Sequence, residues 1–173
     1  MPNKSMEKPQ KKRNTRAPRV ASTKLRRGVG MLVINEEGLI LAGLRRHASG
    51  DKAWQLPQGG LEYREDPEKA AYRELAEETG IPAKDLELLH IHEGWTTYIL
   101  PPEFIEKAHF KGQKHRWFVF KYKKSGLPDL SKATDKEFSE LQWTTASWLY
   151  DHTVNFRQQA YREVFKTYAS LLA

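Results

Sequence analysis

The chain has 173 residues, a net charge of +7 and no cysteine. This length favours one domain with a sizeable core over two independent domains, and the lack of cysteine excludes disulfides and thiolate metal sites. No apolar run reaches the length of a membrane span and the first residues lack the apolar segment of a secretory signal, so we expect a monomeric cytoplasmic protein without membrane association.

The positive charge is concentrated at the start of the chain. Residues 1–27 contain ten Lys or Arg and one acid, Glu7, which leaves the rest of the chain weakly acidic. Residues 1–24 have almost no aliphatic clustering, and we expect a disordered basic arm there, followed by one domain over 25–173. Such an arm is often met in proteins that contact RNA or another polyanion, and a merely solubilising tail is an equally good interpretation.

The first part of the domain predicts a β-hairpin. Two apolar runs, at 28–35 and 38–45, lie on either side of a short acidic turn and have the composition of strands. A mostly polar loop over 48–53 then leads to a segment that ends in the paired glycines Gly59-Gly60.

A helix signal follows the glycines. Asp66 precedes Pro67, which fits a helix start because Asp caps the first turn and proline is tolerated at the first helical position. We expect the helix to end at Gly80 and to pack on the core through Ala70, Ala71 and Leu75.

The second half of the domain predicts further strands and helices, and no internal repeat is present. The predicted strands cover 85–95, 114–124 and 137–144, a long connection covers 97–113, and the predicted helices cover 146–150 and 157–172. Strands interleaved with helices predict an α/β fold in which a mixed β-sheet lies between helices.

The helix after the glycines carries an acidic cluster. Residues three and four apart share a helix face, so Glu74 stands beside Glu77 and Glu78. Clustered carboxylates without an adjacent lysine indicate a bound hard dication, Mg²⁺ with Mn²⁺ as a substitute, and Arg73 is expected to orient one carboxylate by a bidentate pair. The glycine at 59 lets backbone approach the metal, where a carbonyl adds a ligand.

These residues form part of a longer pattern with fixed spacing. The segment GGLEYREDPEKAAYRELAEETGI, residues 59–81, has fixed positions at Gly59, Glu65, Arg73, Glu74, Leu75, Glu77, Glu78 and Gly80. A solvated acidic helix face is the usual meaning of a glutamate-rich helix, but it does not account for the glycines and the arginine at these spacings. The pattern indicates a metal-dependent phosphoanhydride hydrolase and leaves the general base open.

The segment 59–81 resembles the Nudix box, and the chain from about Gly28 onward resembles bacterial RNA 5′-pyrophosphohydrolases and diadenosine polyphosphate hydrolases of the Nudix superfamily. The marks outside the box are Trp54–Gly60, Trp95–Tyr98, Gly112–Phe118, Glu137-Phe138 with Trp143, and Val154–Arg157 with Tyr161. The resemblance implies a Nudix α/β/α sandwich and removal of pyrophosphate, or of phosphate stepwise, from 5′-triphosphorylated RNA. Cleavage of diadenosine tetraphosphate is the main alternative, general nucleoside triphosphate hydrolysis is a third, and a non-catalytic RNA-binding protein is an alternative from another class.

The resemblance also implies roles for individual residues. Glu137 matches an acidic metal ligand or base outside the box, so the implied catalytic set is Glu74, Glu77, Glu78 and Glu137, with Gly59 added at the metal. The implied substrate-binding residues are Arg46, Tyr98, Gln113, Lys114, Val154, Phe156 and Arg157, of which Tyr98 and Phe156 border the first base. From the residues alone, Glu137 is equally a surface acid and the two aromatic residues are equally core.

Overall fold

The computed structural model of the chain describes residues 24–173, so the predicted arm at 1–24 lies outside the described residues except for Lys24. The strands are β1 (Leu25–Ile34), β2 (Ile40–Arg45), β3 (Trp54–Gln55), β4 (Gln58–Gly60), β5 (Leu86–Ile91), β6 (Thr96–Ile99), β7 (Gly112–Tyr122) and β8 (Phe138–Thr144). The helices are α1 (Pro67–Thr79), α2 (Pro102–Ala108), α3 (Ala146–His152) and α4 (Asn155–Thr167). Within residues 24–173, no helix has the length and apolar character needed to cross a membrane.

A single mixed sheet runs through the fold. At its centre β1 and β7 lie parallel, from Leu25 opposite Gly112 to Ile34 opposite Lys121. The strands β5 and β6 pair antiparallel with β7 on one side, and β2 pairs antiparallel with β3 and β8 on the other. The predicted hairpin is present, with Ile34 paired to Ile40, but β4 lies beside the first half of β1 and the two hairpin strands separate there.

Helices cover both faces of the sheet, which confirms the predicted sandwich. Because side chains alternate along a strand, β1 and β7 contribute Val33 and Phe120 to the core under α1 and contribute Leu32 and Trp117 to the core under α4. Burial of apolar surface on both faces explains why the two central strands read as almost continuous apolar runs.

The boundaries of α1 follow from its two caps, as the sequence predicted. The Asp66 side chain accepts hydrogen bonds from the backbone N–H of Glu68, at 2.9 Å, and of Lys69, at 3.2 Å. Gly80 ends the helix in the left-handed region at φ 77°, and its N–H donates to the Ala76 carbonyl. The helix is therefore fixed at both ends by local chemistry.

Several of the predicted boundaries are wrong, and β7 covers 112–122 rather than 114–124. The connection predicted at 97–113 contains most of β6 and all of α2, and the strand predicted over 85–95 ends at Ile91. β6 is a four-residue strand, which is too short for a clear alternation signal, and Pro102 opens α2 at its first turn. The final helix begins two residues earlier than predicted, at Asn155, and ends at Thr167, where Tyr168 leaves helical geometry.

Candidate active site

An open cavity of about 370 Å³ lies where α1, β1, β4 and β7 meet the start of β8 and of α4. Its lining side chains are all polar, apart from two glycines, and both signs of charge are present. The acids are Glu74, Glu77, Glu78, Asp135 and Glu137, the cations are Arg26, Arg45 and Arg157, and the rest are Gln55, Gln58, Gln113, Gly59 and Gly60. The predicted catalytic set therefore lines one cavity.

Two of the helix carboxylates are buried in the cavity wall. Glu74 is 8% exposed and Glu78 is 4% exposed, and a Glu78 carboxylate oxygen accepts a hydrogen bond from the backbone N–H of Gln58 at 3.1 Å. Burial raises the pKa of Glu78 well above its ordinary value, and the negative charges of Glu74 and Glu137 raise it further. Burial also raises the pKa of Glu74, although Arg73 opposes that change. The wall thus holds concentrated negative charge that a bound cation would stabilise.

Arg73 holds the acidic residues in place. Its Nε and Nη2 atoms donate to the two carboxylate oxygens of Glu65 at 2.7 and 2.9 Å, so the bidentate pair that was expected with a carboxylate of the helix cluster is made with Glu65 instead. Its Nη1 atom donates to Glu74 at 2.8 Å and to Glu77 at 3.1 Å, and Nη2 also donates to the Gly60 carbonyl at 3.1 Å. The carboxyl group of Glu65 is thereby ionised more easily, since the hydrogen bond from Arg73 lowers its pKa.

Gly59 gives Glu74 the room that it occupies. A Cβ atom added at Gly59 would lie 1.9 Å from the Glu74 carboxyl carbon, far inside contact distance. The close approach of strand and helix at this point therefore requires glycine.

We expect Gly59→Ala to lower kcat by about 10- to 100-fold, because the methyl group must displace the Glu74 carboxylate by more than an ångström and misplaced catalytic groups cost about that much. Steady-state kinetics check the result. Gly94→Ala is the control for backbone strain outside the cavity: its Cβ meets no atom within 4 Å, but its φ of +75° strains any other residue, so it should lower stability and leave kcat unchanged. Equal kcat values for Gly59→Ala and the parent would contradict the expected role of this contact.

The acidic wall fits a hard dication by its donor chemistry. The charged groups of this wall are carboxylates, whose oxygens favour a hard divalent cation over metals that prefer sulfur or imidazole. Among residues 24–173 no three acidic or histidine side chains converge on one point, since Arg73 holds Glu74 and Glu77 while Gln58 holds Glu78. The residues present thus match the ion in kind, with their oxygens positioned by these hydrogen bonds.

Glu137 lines the cavity from the position immediately before β8. Its carboxylate is 3.6 Å from the Arg45 guanidinium, and its charge contributes to the raised pKa of Glu78. Asp135, which the sequence did not single out, also lines the cavity, and its backbone N–H donates to the Glu77 carbonyl at 2.8 Å. The segment before β8 thus adds two acids to those of the helix.

An aromatic and amide cluster lies beside the cavity and contributes Gln55, Gln58 and Gln113 to its lining. The Tyr98 hydroxyl donates to Gln113 at 2.8 Å and accepts from Gln58 at 3.2 Å, and the Tyr98 ring lies 5.4 Å from Phe156. Arg157, only 6% exposed, donates to the Gln55 side chain at 2.8 Å, and its Nε atom has no hydrogen-bond partner among the described residues. Arg157 therefore brings a buried, incompletely satisfied cation to the cavity.

Of the seven predicted substrate-binding residues, only Gln113 and Arg157 line the cavity, and the other five lie outside its lining. Tyr98 and Phe156 lie beside it, in the aromatic cluster. Arg46 donates to the backbone carbonyls of Lys136 and Phe138, and its neighbour Arg45 lines the cavity instead. Lys114 contacts the Trp95 ring, and Val154 is the N-cap residue of α4. Sequence reasoning also missed several residues that do line the cavity: Arg26, Arg45, Gln55, Gln58 and Asp135.

Next to the aromatic and amide cluster, His115 is buried and stacks on Tyr98 with ring centroids 5.6 Å apart. Burial, with help from the positive charges of Arg157 and Arg26, lowers the pKa of His115 to about 3 from its ordinary 6.5. Below pH 6.5 the unfolded chain binds a proton here that the folded chain does not bind until about pH 3. The free energy of unfolding must therefore fall as the pH drops through this window, by up to about 1.4 kcal/mol per pH unit.

We expect His115→Gln to flatten that pH dependence. Urea unfolding of parent and variant between pH 6.5 and 4 measures the difference in slope, and the buried glutamates with raised pKa, which act in the opposite direction, are present in both proteins. Any packing loss in the variant shifts its stability at all pH values alike. Parallel curves would show that His115 is not the titrating group.

Comparisons with known proteins identify the family of the chain and similar folds. The family model described as the NUDIX domain matches residues 24–166. A protein of Cereibacter sphaeroides named RNA pyrophosphohydrolase is 42% identical over 150 residues, covering 84% of this chain and 91% of that protein. Two solved structures share the fold at 18% identity. One is an E. coli dihydroneopterin triphosphate pyrophosphohydrolase, with a TM-score of 0.66, and the other is a C. elegans Ap4A hydrolase, with a TM-score of 0.61. Each match covers 84% of this chain and 99% of the other chain.

Proposed function

The chain belongs to the Nudix family of hydrolases, and from that premise we propose that it hydrolyses a phosphoanhydride bond at the 5′-triphosphate end of RNA, leaving a 5′-monophosphate. One observation carries this proposal: a single cavity is lined by buried Glu74 and Glu78, its acidic wall, and by Arg26 and Arg157, its cationic wall. The acidic wall suits a divalent metal and the cationic wall suits phosphate oxygens. The relatives named RNA pyrophosphohydrolase support RNA as the substrate class.

We assign the metal to Glu74, Glu77, Glu78 and Glu137, with the Gly59 carbonyl as a further ligand. Mg²⁺ bound there would neutralise the polyphosphate and lower the pKa of an attacking water. Arg73 orients the carboxylates, and a carboxylate of this group accepts the proton of the water. Attack at one phosphorus expels the other phosphate or pyrophosphate as leaving group.

The protein's own cations position the substrate. Arg26, Arg45 and Arg157 surround the space opposite α1, where they can hold the negative oxygens of the phosphate chain. Tyr98 and Phe156 form an aromatic edge beside Arg157, whose guanidinium carbon lies 5.9 and 5.4 Å from their ring centroids. A base stacked on this edge would be bound with little regard to its identity, which suits RNA ends of different sequence.

Diadenosine tetraphosphate is a second candidate substrate. Phe104 of α2 is 48% exposed and lies 6.3 Å from Phe156, so that a second base has an aromatic surface near the first. A non-catalytic RNA-binding protein is less favoured, because the acidic cluster of the box is complete.

A direct substrate comparison tests the proposal. With Mg²⁺ present, kcat/KM is measured for 5′-triphosphorylated RNA, diadenosine tetraphosphate and free nucleoside triphosphates. We expect RNA to be preferred by at least about tenfold, since one further order of magnitude needs only about 1.4 kcal/mol of additional binding. A preference for either small nucleotide would overturn the RNA assignment and leave the metal site unaffected. A chelator should abolish turnover of every substrate.

We further propose that the basic arm at 1–24 contacts the RNA backbone. Residues 1–23 contain seven Lys or Arg and one acid, and release of counterions by such a segment makes binding salt-dependent. Replacing Lys11, Lys12 and Arg13 by Gln should weaken RNA binding and reduce the salt slope by about 2, or about 0.7 per cation. An unchanged slope would leave the arm as a solubilising tail.

A further inference from the structure

A cluster of three cations surrounds one indole ring outside the cavity. The Arg27 guanidinium carbon and the Lys114 Nζ atom each lie 5.1 Å from the Trp95 ring centroid, and the Arg116 guanidinium carbon lies 5.7 Å from it. We call these four residues the Trp95 patch. None of its three cations has a salt bridge to a carboxylate among the described side chains, those of 24–105 and 108–173.

Strand alternation places the patch next to the cavity, on the face of the sheet that α1 covers. Arg26 and Gln113 are paired neighbours on β1 and β7 and line the cavity, whereas the next pair, Arg27 with Lys114, carries the patch. The Leu61 N–H donates to the Arg27 carbonyl at 3.1 Å, one residue beyond the cavity-lining Gly60. A flexible chain that leaves the cavity can therefore reach the patch around the end of these strands.

The patch carries positive charge that no salt bridge among the described side chains balances. Three like charges gathered near one ring repel one another unless an anion is bound. Residues 1–23, which precede β1, contain seven cations and one acid, so on balance they add positive charge. Arg116 adds a buried Nε atom without a hydrogen-bond partner among the described residues. The charge pattern thus fits a polyanionic ligand. The indole ring adds a surface on which a flat ring of that ligand can stack.

We propose that the Trp95 patch binds the single-stranded RNA that continues 3′ of the nucleotides in the cavity. Bases stack on the indole and guanidinium planes, while phosphates contact Arg27, Lys114 and Arg116. Aromatic side chains combined with cations are the usual means of holding single strands without sequence preference. The inference rests on the proposed function and deepens it, because it makes the substrate a chain of several nucleotides.

Binding of a 20-nucleotide RNA with a 5′-hydroxyl end tests the patch in the full chain, because this RNA has no bond for the enzyme to cut. We expect the double variant Arg27→Gln/Lys114→Gln to bind more weakly and to lower the slope of log affinity against log salt by about 0.7 per cation removed. The matched control is Lys84→Gln/Lys124→Gln, which removes two exposed lysines elsewhere. Equal affinity and slope for the two double variants would overturn the proposal.

Trp95→Leu separates stacking from charge. We expect its affinity to fall by between about 5- and 100-fold with the salt slope unchanged, and Trp95→Phe to restore most of the loss. Polyglutamate that competes as strongly as polyuridylate of equal charge would also overturn the assignment to RNA. If the patch variants weaken binding but no triphosphorylated RNA is hydrolysed, the proposed function fails and the RNA-binding role of the patch is retained. If RNA is hydrolysed and the variants bind like the control, only the RNA-binding role of the patch fails.

Discussion

Replacement of Glu78 by Gln is expected to lower kcat by about 1,000-fold or more, which corresponds to roughly 4 kcal/mol of transition-state stabilisation by metal and carboxylate. Glutamine keeps the size of the side chain and can still accept the hydrogen bond from the Gln58 N–H, so the fold is preserved. What the substitution removes is a negative oxygen in the most buried position of the acidic wall, at 4% exposure.

The stability of this variant provides an independent readout. Because burial raises the pKa of Glu78, its carboxylate opposes folding near neutral pH in the absence of a cation. Glu78→Gln should therefore be at least as resistant to urea as the parent when metal is chelated, while it gains less stability on addition of Mg²⁺. Glu62→Gln, at an exposed acid near the start of α1, is the control. Activity of Glu78→Gln within tenfold of the parent would rule out the assigned metal role.

Arg73→Lys is expected to have the second-largest effect, a loss of kcat of about 100-fold together with a loss of about 3 kcal/mol of stability. Lysine keeps the positive charge but cannot make the fork of bonds that joins Arg73 to Glu65, Glu74, Glu77 and the Gly60 carbonyl. The side chain of Arg73 is 24% exposed, so water replaces only part of what is lost.

The combination of kinetics and urea unfolding distinguishes a positioning role from a simple charge effect. If net charge alone matters, Arg73→Lys behaves like the parent in both measurements, which would contradict the structural role given to the guanidinium. Arg64→Lys, at an exposed position with its guanidinium over the Tyr63 ring, is the matched control and should change neither kcat nor the urea midpoint.

The acidic wall could be predicted from the sequence because its signals are local. The capping residue Asp66, the left-handed Gly80 and the three- and four-residue spacing of the glutamates all lie within one helix. Helix geometry then places Glu74 beside Glu78 independently of the tertiary structure. The predicted α/β/α sandwich was confirmed for a related reason, since the apolar runs of the central strands are long.

The cationic wall could not be predicted in the same way, because it depends on strand register. An irregularity in the pairing of β2 with β8, between Leu44 and Arg45, decides which of two adjacent arginines faces the cavity. It places Arg45 there and Arg46 against the backbone of β8. Likewise the alternation of β1 places Arg26 in the cavity and Arg27 at the Trp95 patch, which the parallel pairing with β7 fixes.

The 5′ end of an RNA product tests the central proposal most directly. A 5′-triphosphorylated RNA is incubated with the full chain and Mg²⁺ in water enriched in ¹⁸O, so that oxygen from water can be traced. The mass of the RNA is then measured by mass spectrometry. We predict conversion to 5′-monophosphate RNA that depends on Mg²⁺ and is abolished in Glu78→Gln. Recovery of intact triphosphorylated RNA, under conditions in which the same protein consumes diadenosine tetraphosphate or free nucleotides, would contradict RNA 5′-end hydrolysis.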